Sequence, residues 1–95
     1  MEDYKEELAR FLEGFGANVR RVRTAKRPPC SQEWLSHATG LHRTEIGKIE
    51  QGLVEPRLST LMILADGLSV GIDELLAGLW VPTERRPSPS AKQWS

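Results

Sequence analysis

From residue 43 to residue 51 the chain sets Arg43, Thr44, Gly47, Lys48 and Gln51 on one side of a helical repeat. Ile46 and Ile49, with Leu53 just beyond, fall on the other side and are expected to face the core. The polar side carries recognition chemistry rather than bond-making chemistry. An arginine can offer two parallel donors to O6 and N7 of a guanine. A threonine offers a hydroxyl group, or a methyl group to thymine, and a lysine one turn later reaches a guanine or a phosphate. Arg43, Thr44 and Lys48 are therefore the expected base-contacting residues of a partner that is double-stranded DNA. Glu45, Gly47 and Gln51 are further candidate contacts. Phosphates repel the Glu45 carboxylate unless it accepts from a cytosine amino group or pairs with Arg43 or Lys48, and Gly47 allows the helix backbone to approach a groove closely. For an isolated amphipathic helix a solvated face is the better explanation of such charges, so the reading depends on what precedes it.

What precedes it is a short helix and a tight turn. Ser31 is a suitable N-cap for a helix over 32–38, in which Leu35 and Ser36 face inward. Gly40 permits the turn, Leu41 plugs it, and His42 stands at the N-cap of the helix 43–51, which Gly52 closes in a left-handed conformation. Upstream, Tyr4, Leu8, Phe11, Leu12, Phe15, Val19 and Val22 recur at helical spacing, predicting one long helix or two abutting ones over 4–25, with Gly14 and Gly16 as possible kinks. Pro28-Pro29 ends it. Downstream, Leu58, Leu61, Met62, Leu64, Ala65 and Leu68 trace the buried stripe of a fourth helix, and Asp73 and Glu74 open a fifth at the positive end of its dipole.

This order, two short helices joined through Gly40 with the second presenting its polar side, is a helix-turn-helix. From about Phe15 to Leu79 the chain resembles the lambda-repressor-like, or Xre, family of helix-turn-helix regulators. The resemblance implies an all-α, five-helix DNA-binding domain over 15–81, here with a helical extension over 1–14 and a flexible Pro/Ser-rich tail over 82–95. It assigns base contacts to Arg43, Thr44 and Lys48. To Gln32 it assigns a phosphate contact that also buttresses the reading helix, and to Arg57 a reach toward the backbone or minor groove. Arg23 and Glu50 match a structural pair beneath the DNA surface. Arg20, Lys26 and Arg27 add candidate phosphate contacts, which fix register and supply salt-sensitive affinity. Three departures stand out. The Lys26–Cys30 link is about two residues longer than the usual turn, Trp34 replaces a commonly polar residue, and Ser69 stands where glycine or asparagine would close the fourth helix more comfortably.

Bulk properties bound the rest. Ninety-five residues hold one modest domain, and thirteen basic against thirteen acidic residues argue against indiscriminate nucleic-acid binding. Charge is nevertheless segregated: Glu2, Asp3, Glu6, Glu7 and Glu13 precede the acid-free run of Arg20, Arg21, Arg23, Lys26 and Arg27. No apolar run spans a bilayer and no secretory signal is visible, so no membrane association and a cytoplasmic location are expected. Cys30 alone builds neither a disulfide nor a zinc site, and at a helix start it is more often a small apolar residue than a redox switch. His37 and His42 close no metal site. No nucleophile has a base and orienting acid at hand, so neither cofactor nor enzymatic activity is expected. A dimeric repressor or controller on a pseudo-palindromic operator fits best, with the homodimer contact assigned to Leu75, Leu76, Leu79 and Trp80 and a second candidate surface on Tyr4, Leu8, Phe11 and Leu12. The rival is an antitoxin-type interaction protein that holds a protein partner through the C-terminal tail and Trp94.

Overall fold

The apolar repeat upstream of Pro28 folds as one helix, α1 (Glu2–Ala25), with no division between the extension and the core segment. The computed structural model describes residues 2–79, with side chains from Lys5 onward; Trp80, Trp94 and the tail over 82–95 lie outside the described residues. After α1 come α2 (Gln32–Thr39), α3 (Arg43–Glu50), α4 (Leu58–Leu68) and the single-turn α5 (Ile72–Leu75), and no strand occurs among the described residues. The all-α, five-helix architecture is the one expected from sequence.

Local chemistry sets the helix ends. The Ser31 hydroxyl accepts the Trp34 amide at 2.9 Å and starts α2. The α2–α3 turn is tied by side chains: the Thr39 hydroxyl donates to the Leu35 carbonyl and accepts from the Leu41 amide, while the Ser36 hydroxyl donates to the Leu41 carbonyl. At the end of α3, Gly52 has φ +75°, and the amides of Gly52 and Leu53 bond back to the carbonyls of Ile49 and Lys48. The same pair of bonds closes α4 around Ser69, a non-glycine residue held at φ 59°. That is the position where the sequence departs from the family's more comfortable glycine or asparagine.

Phe15, Val19 and Val22 of α1, Leu35 of α2, Ile46 and Ile49 of α3, Leu64, Ala65 and Leu68 of α4, and Leu75 of α5 form one buried core. Burying such side chains is the main source of stability in a domain this small. Asn18 links the ends of the fold, donating both amide hydrogens across 57 and 59 residues to the carbonyls of Leu75 and Ala77.

Several sequence expectations are corrected here. Leu53 is 66 % exposed rather than inward, because the reversal at Gly52 turns it outward and Val54 packs against the core instead. Leu58 and Met62 are exposed too; the buried residues of α4 are Thr60, Leu64, Ala65 and Leu68, with Leu61 partly buried against the core. Leu75, assigned to a dimer contact, is fully buried in its own core, and Leu76 and Leu79 pack partly against it. Gly14 and Gly16 mark close approach rather than kinks: a Cβ on Gly16 would collide with the carbonyl oxygens of Ile49 and Glu50, and one on Gly14 with Leu79. Trp34, at the position the family commonly fills with a polar residue, is 49 % exposed.

Beneath α3 lies a buried ion pair. Arg23 Nε donates to Glu50 Oε2 at 2.6 Å and Nη2 to Glu50 Oε1 at 2.9 Å, with Nη1 on the Cys30 carbonyl at 2.8 Å. The two side chains are 10 % and 5 % exposed. Removing one partner strands a buried charge, whereas replacing both with apolar residues does not. Arg23→Met is therefore expected to lower unfolding free energy by about 3–5 kcal/mol in urea titrations, and the Arg23→Met/Glu50→Leu double variant to lose less than the single one. Gly16→Ala, which forces α1 and α3 apart, is expected to cost roughly 1–3 kcal/mol by the same measurement.

Candidate nucleic-acid interface

The polar side of α3 is accessible because its apolar side is fully used: Ile46 and Ile49 are 0 % and 1 % exposed, whereas Arg43, Thr44 and Lys48 are all exposed. α3 starts at His42, whose Nδ1 accepts the Thr44 amide at 3.1 Å. Shallow grooves run along both flanks of the helix. Arg43 shares one with Glu33, Ser36, His37 and Gly40 of the α2 side. Thr44, Glu45 and Lys48 share the other with His42, Arg57 and Ser59. The three expected base contacts thus stand on one short helix, with walls supplied by its neighbours.

Other expected contacts fall around this helix in different ways. Gln32, half-buried at the start of α2, donates from Nε2 to Glu50 Oε1 at 3.0 Å, which couples the N-terminus of α2 to the end of α3. Gly47 faces this carboxamide: a Cβ there would lie 4.0 Å from Gln32 Oε1, an ordinary contact, so space alone does not demand glycine. Glu45 is half-buried and makes no ion pair with Arg43 or Lys48 among the described residues. Gln51 is the exposed C-cap of α3. Arg57 is the exposed N-cap residue of α4, makes no capping bond, and opens onto the Lys48 groove.

The basic run of α1 lies apart from both grooves. Arg20 and Arg27 are exposed, and Lys26 is half-buried at the start of the long turn. Arg27 turns its guanidinium back toward the carbonyls of Ala25 and Lys26, at 3.4 and 3.2 Å, both loose contacts. The longer link stays anchored through the Cys30 amide on the Arg23 carbonyl at 3.1 Å. Sequence reasoning passed over two features of this region: the close seat of α3 on Gly16, and the second ring nitrogen of His42. Only the first left a signal, a glycine inside a strongly helical pattern, and it reads equally well as a kink.

Among the described residues no group of three His, Cys, Asp or Glu side chains is placed to hold a metal ion, and no helix is long and apolar enough to cross a membrane. The exposed side chains of α3 are hydrogen-bond donors and cations set on a rigid helix. Such a set can grip an anionic, donor-and-acceptor-patterned surface such as the edge of a DNA groove.

Comparison with known proteins agrees with this geometry. Residues 30–75 match the family model described as helix-turn-helix. The chain is 42 % identical over 74 residues to control protein C.SmaI of Serratia marcescens, an alignment covering 78 % of this chain and 77 % of that protein. It is 39 % identical over 64 residues to the SPbeta prophage-derived uncharacterized HTH-type transcriptional regulator YonR of Bacillus subtilis, covering 67 % of this chain and 57 % of that one. The crystal structure of the restriction-modification controller protein C.AhdI from Aeromonas hydrophila superposes with a TM-score of 0.63 at 36 % identity, covering 67 % of this chain and 94 % of that one. With the turn at Gly40, the buried Ile46 and Ile49 and the exposed Arg43, Thr44 and Lys48 in that arrangement, the chain belongs to the lambda-repressor-like, or Xre, family of helix-turn-helix DNA-binding transcriptional regulators.

Proposed function

We propose that the protein is a controller-type regulator that reads a pseudo-palindromic operator as a homodimer, governing genes of a restriction-modification system without catalysis of its own and acting in the cytoplasm. The observation that carries this reading is the exposed, donor-rich face of α3 standing on a fully buried apolar face. Likeness to two proteins named as controllers supports the regulatory setting and favours a DNA reader over an antitoxin-type partner. In this reading Arg43, Thr44 and Lys48 enter the major groove, with Glu45, Gly47 and Gln51 beside them. Gln32, Arg20, Lys26, Arg27 and Arg57 hold phosphates, while Arg23 and Glu50 keep the helix in place from below.

Dimerisation follows from size, because one eight-residue reading helix covers too few base pairs for tight specific binding. With Leu75 committed to the core, the second copy has other apolar surface to meet: Leu58, Met62 and Ile63 are 71 %, 56 % and 39 % exposed on α4. Half-buried Leu8, Phe11 and Leu12 extend the choice along α1.

A duplex recovered by selection from random DNA tests the assigned roles. Arg43→Ala is expected to reduce discrimination at one base pair by about 1–3 kcal/mol, whereas Arg27→Ala weakens all duplexes alike and lowers the salt-dependence slope by about one. Equal, sequence-blind losses from both variants would contradict the assignment. For the dimer, Leu58→Glu/Met62→Glu is expected to yield monomers in sedimentation velocity with the helix content unchanged; a persistent dimer would move the contact elsewhere.

A further inference from the structure

We propose that His42 is a DNA contact as well as a helix cap, its Nε2–H donating to a phosphate oxygen of the duplex backbone. The inference rests on the DNA-reading function proposed above and adds a residue to it.

His42 Nδ1 accepts the Thr44 amide at 3.1 Å. A ring nitrogen that accepts carries no proton, so the proton of the neutral imidazole sits on Nε2. The two nitrogens point in diverging directions. With Nδ1 turned toward the first turn of α3, Nε2–H is turned away from it. The side chain is exposed, and among the described residues no acceptor engages Nε2, although the carboxylates of Glu45 and Glu55 line the same groove. Thr44, Lys48 and Arg57 line it too, so the donor is set among the side chains that would flank DNA.

Phosphate rather than a base edge is the fitting acceptor. His42 precedes the turn that carries Arg43 and Thr44, the residues placed to meet base edges, and most side-chain and helix-N-terminal donors to DNA go to phosphate and sugar oxygens. The amino end of α3 also presents the positive end of its dipole to the same phosphate. Because the cap requires an unprotonated Nδ1, the contact comes from a neutral ring and displaces no counterion. It adds affinity without adding salt dependence, unlike a lysine or arginine at the same place.

The two nitrogens can be tested separately. His42→Asn keeps a short capping acceptor and removes the distal donor; His42→Gln keeps a distal amide donor and gives up the short cap. Binding of each full-length variant to the selected duplex and to a random duplex is measured across a salt series, alongside thermal melting. His42→Asn is expected to melt at or above the wild-type temperature and to bind both duplexes about threefold to tenfold more weakly, with an unchanged salt slope. His42→Gln is expected to melt lower yet, well below its melting temperature, to bind more tightly than His42→Asn. Wild-type affinity in His42→Asn, or a loss accompanied by a shallower salt slope, overturns the proposal while leaving the DNA-reading function intact. A wild-type protein that prefers no duplex over competitor removes that function and this contact together.

Discussion

The guanidinium of Arg23 holds three separate parts of the chain at once: both carboxylate oxygens of Glu50 at the end of α3, the Cys30 carbonyl at the entry to α2, and its own place near the end of α1. Gln32 adds a fourth link by donating to Glu50 Oε1. A planar fork meeting a carboxylate edge on fixes orientation as well as distance. Since the pair is buried, neither group has water as an alternative partner, and the arrangement holds only with both present. The elements it ties together are the ones that must keep their relation if the outer face of α3 is to meet a groove.

Around that pair, close backbone packing finishes the positioning. α1 lies against the last turn of α3 at Gly16, and Gly52 brings the following chain up against Glu13. Ile46 and Ile49 supply the apolar contact between them. α3 is therefore pinned along its length from beneath, while nothing among the described residues pairs Arg43 or Lys48 with an acid. Rigid support below and open donors above are what a reading helix requires, because side chains already held in place lose less freedom on binding.

The formal charge of zero obscures this division of labour. Acid collects along the first half of α1 and base along its second half and in the turn after it, whereas α3 balances Arg43 and Lys48 against Glu45 and Glu50. A dipolar surface of this kind favours approach from one side and weakens indiscriminate binding to phosphate.

By itself the sequence determined the features that depend on neighbours in the chain. The helix ends were legible at Ser31, Pro28-Pro29, Gly40 and Gly52, since caps and breakers act within a turn or two. The inward register of Phe15, Val19, Leu35, Ile46, Ile49 and Leu64 followed from periodicity, and the resemblance to the helix-turn-helix family supplied the rest of the framework, including the pairing of Arg23 with Glu50. The tertiary structure decided whatever depends on which surfaces meet. Leu53 and Val54 differ by one position, and only the reversal at Gly52 settles which of them is covered. Leu75 has the composition of an interface residue, but Asn18 draws the end of α5 onto α1 and encloses it. Gly16 reads as a weak point in a helix until the carbonyls of Ile49 and Glu50 are found in the space a side chain would need. Local patterns report the energetics of a single segment, whereas burial and close approach are properties of two segments at once, and these become defined only when the helices pack.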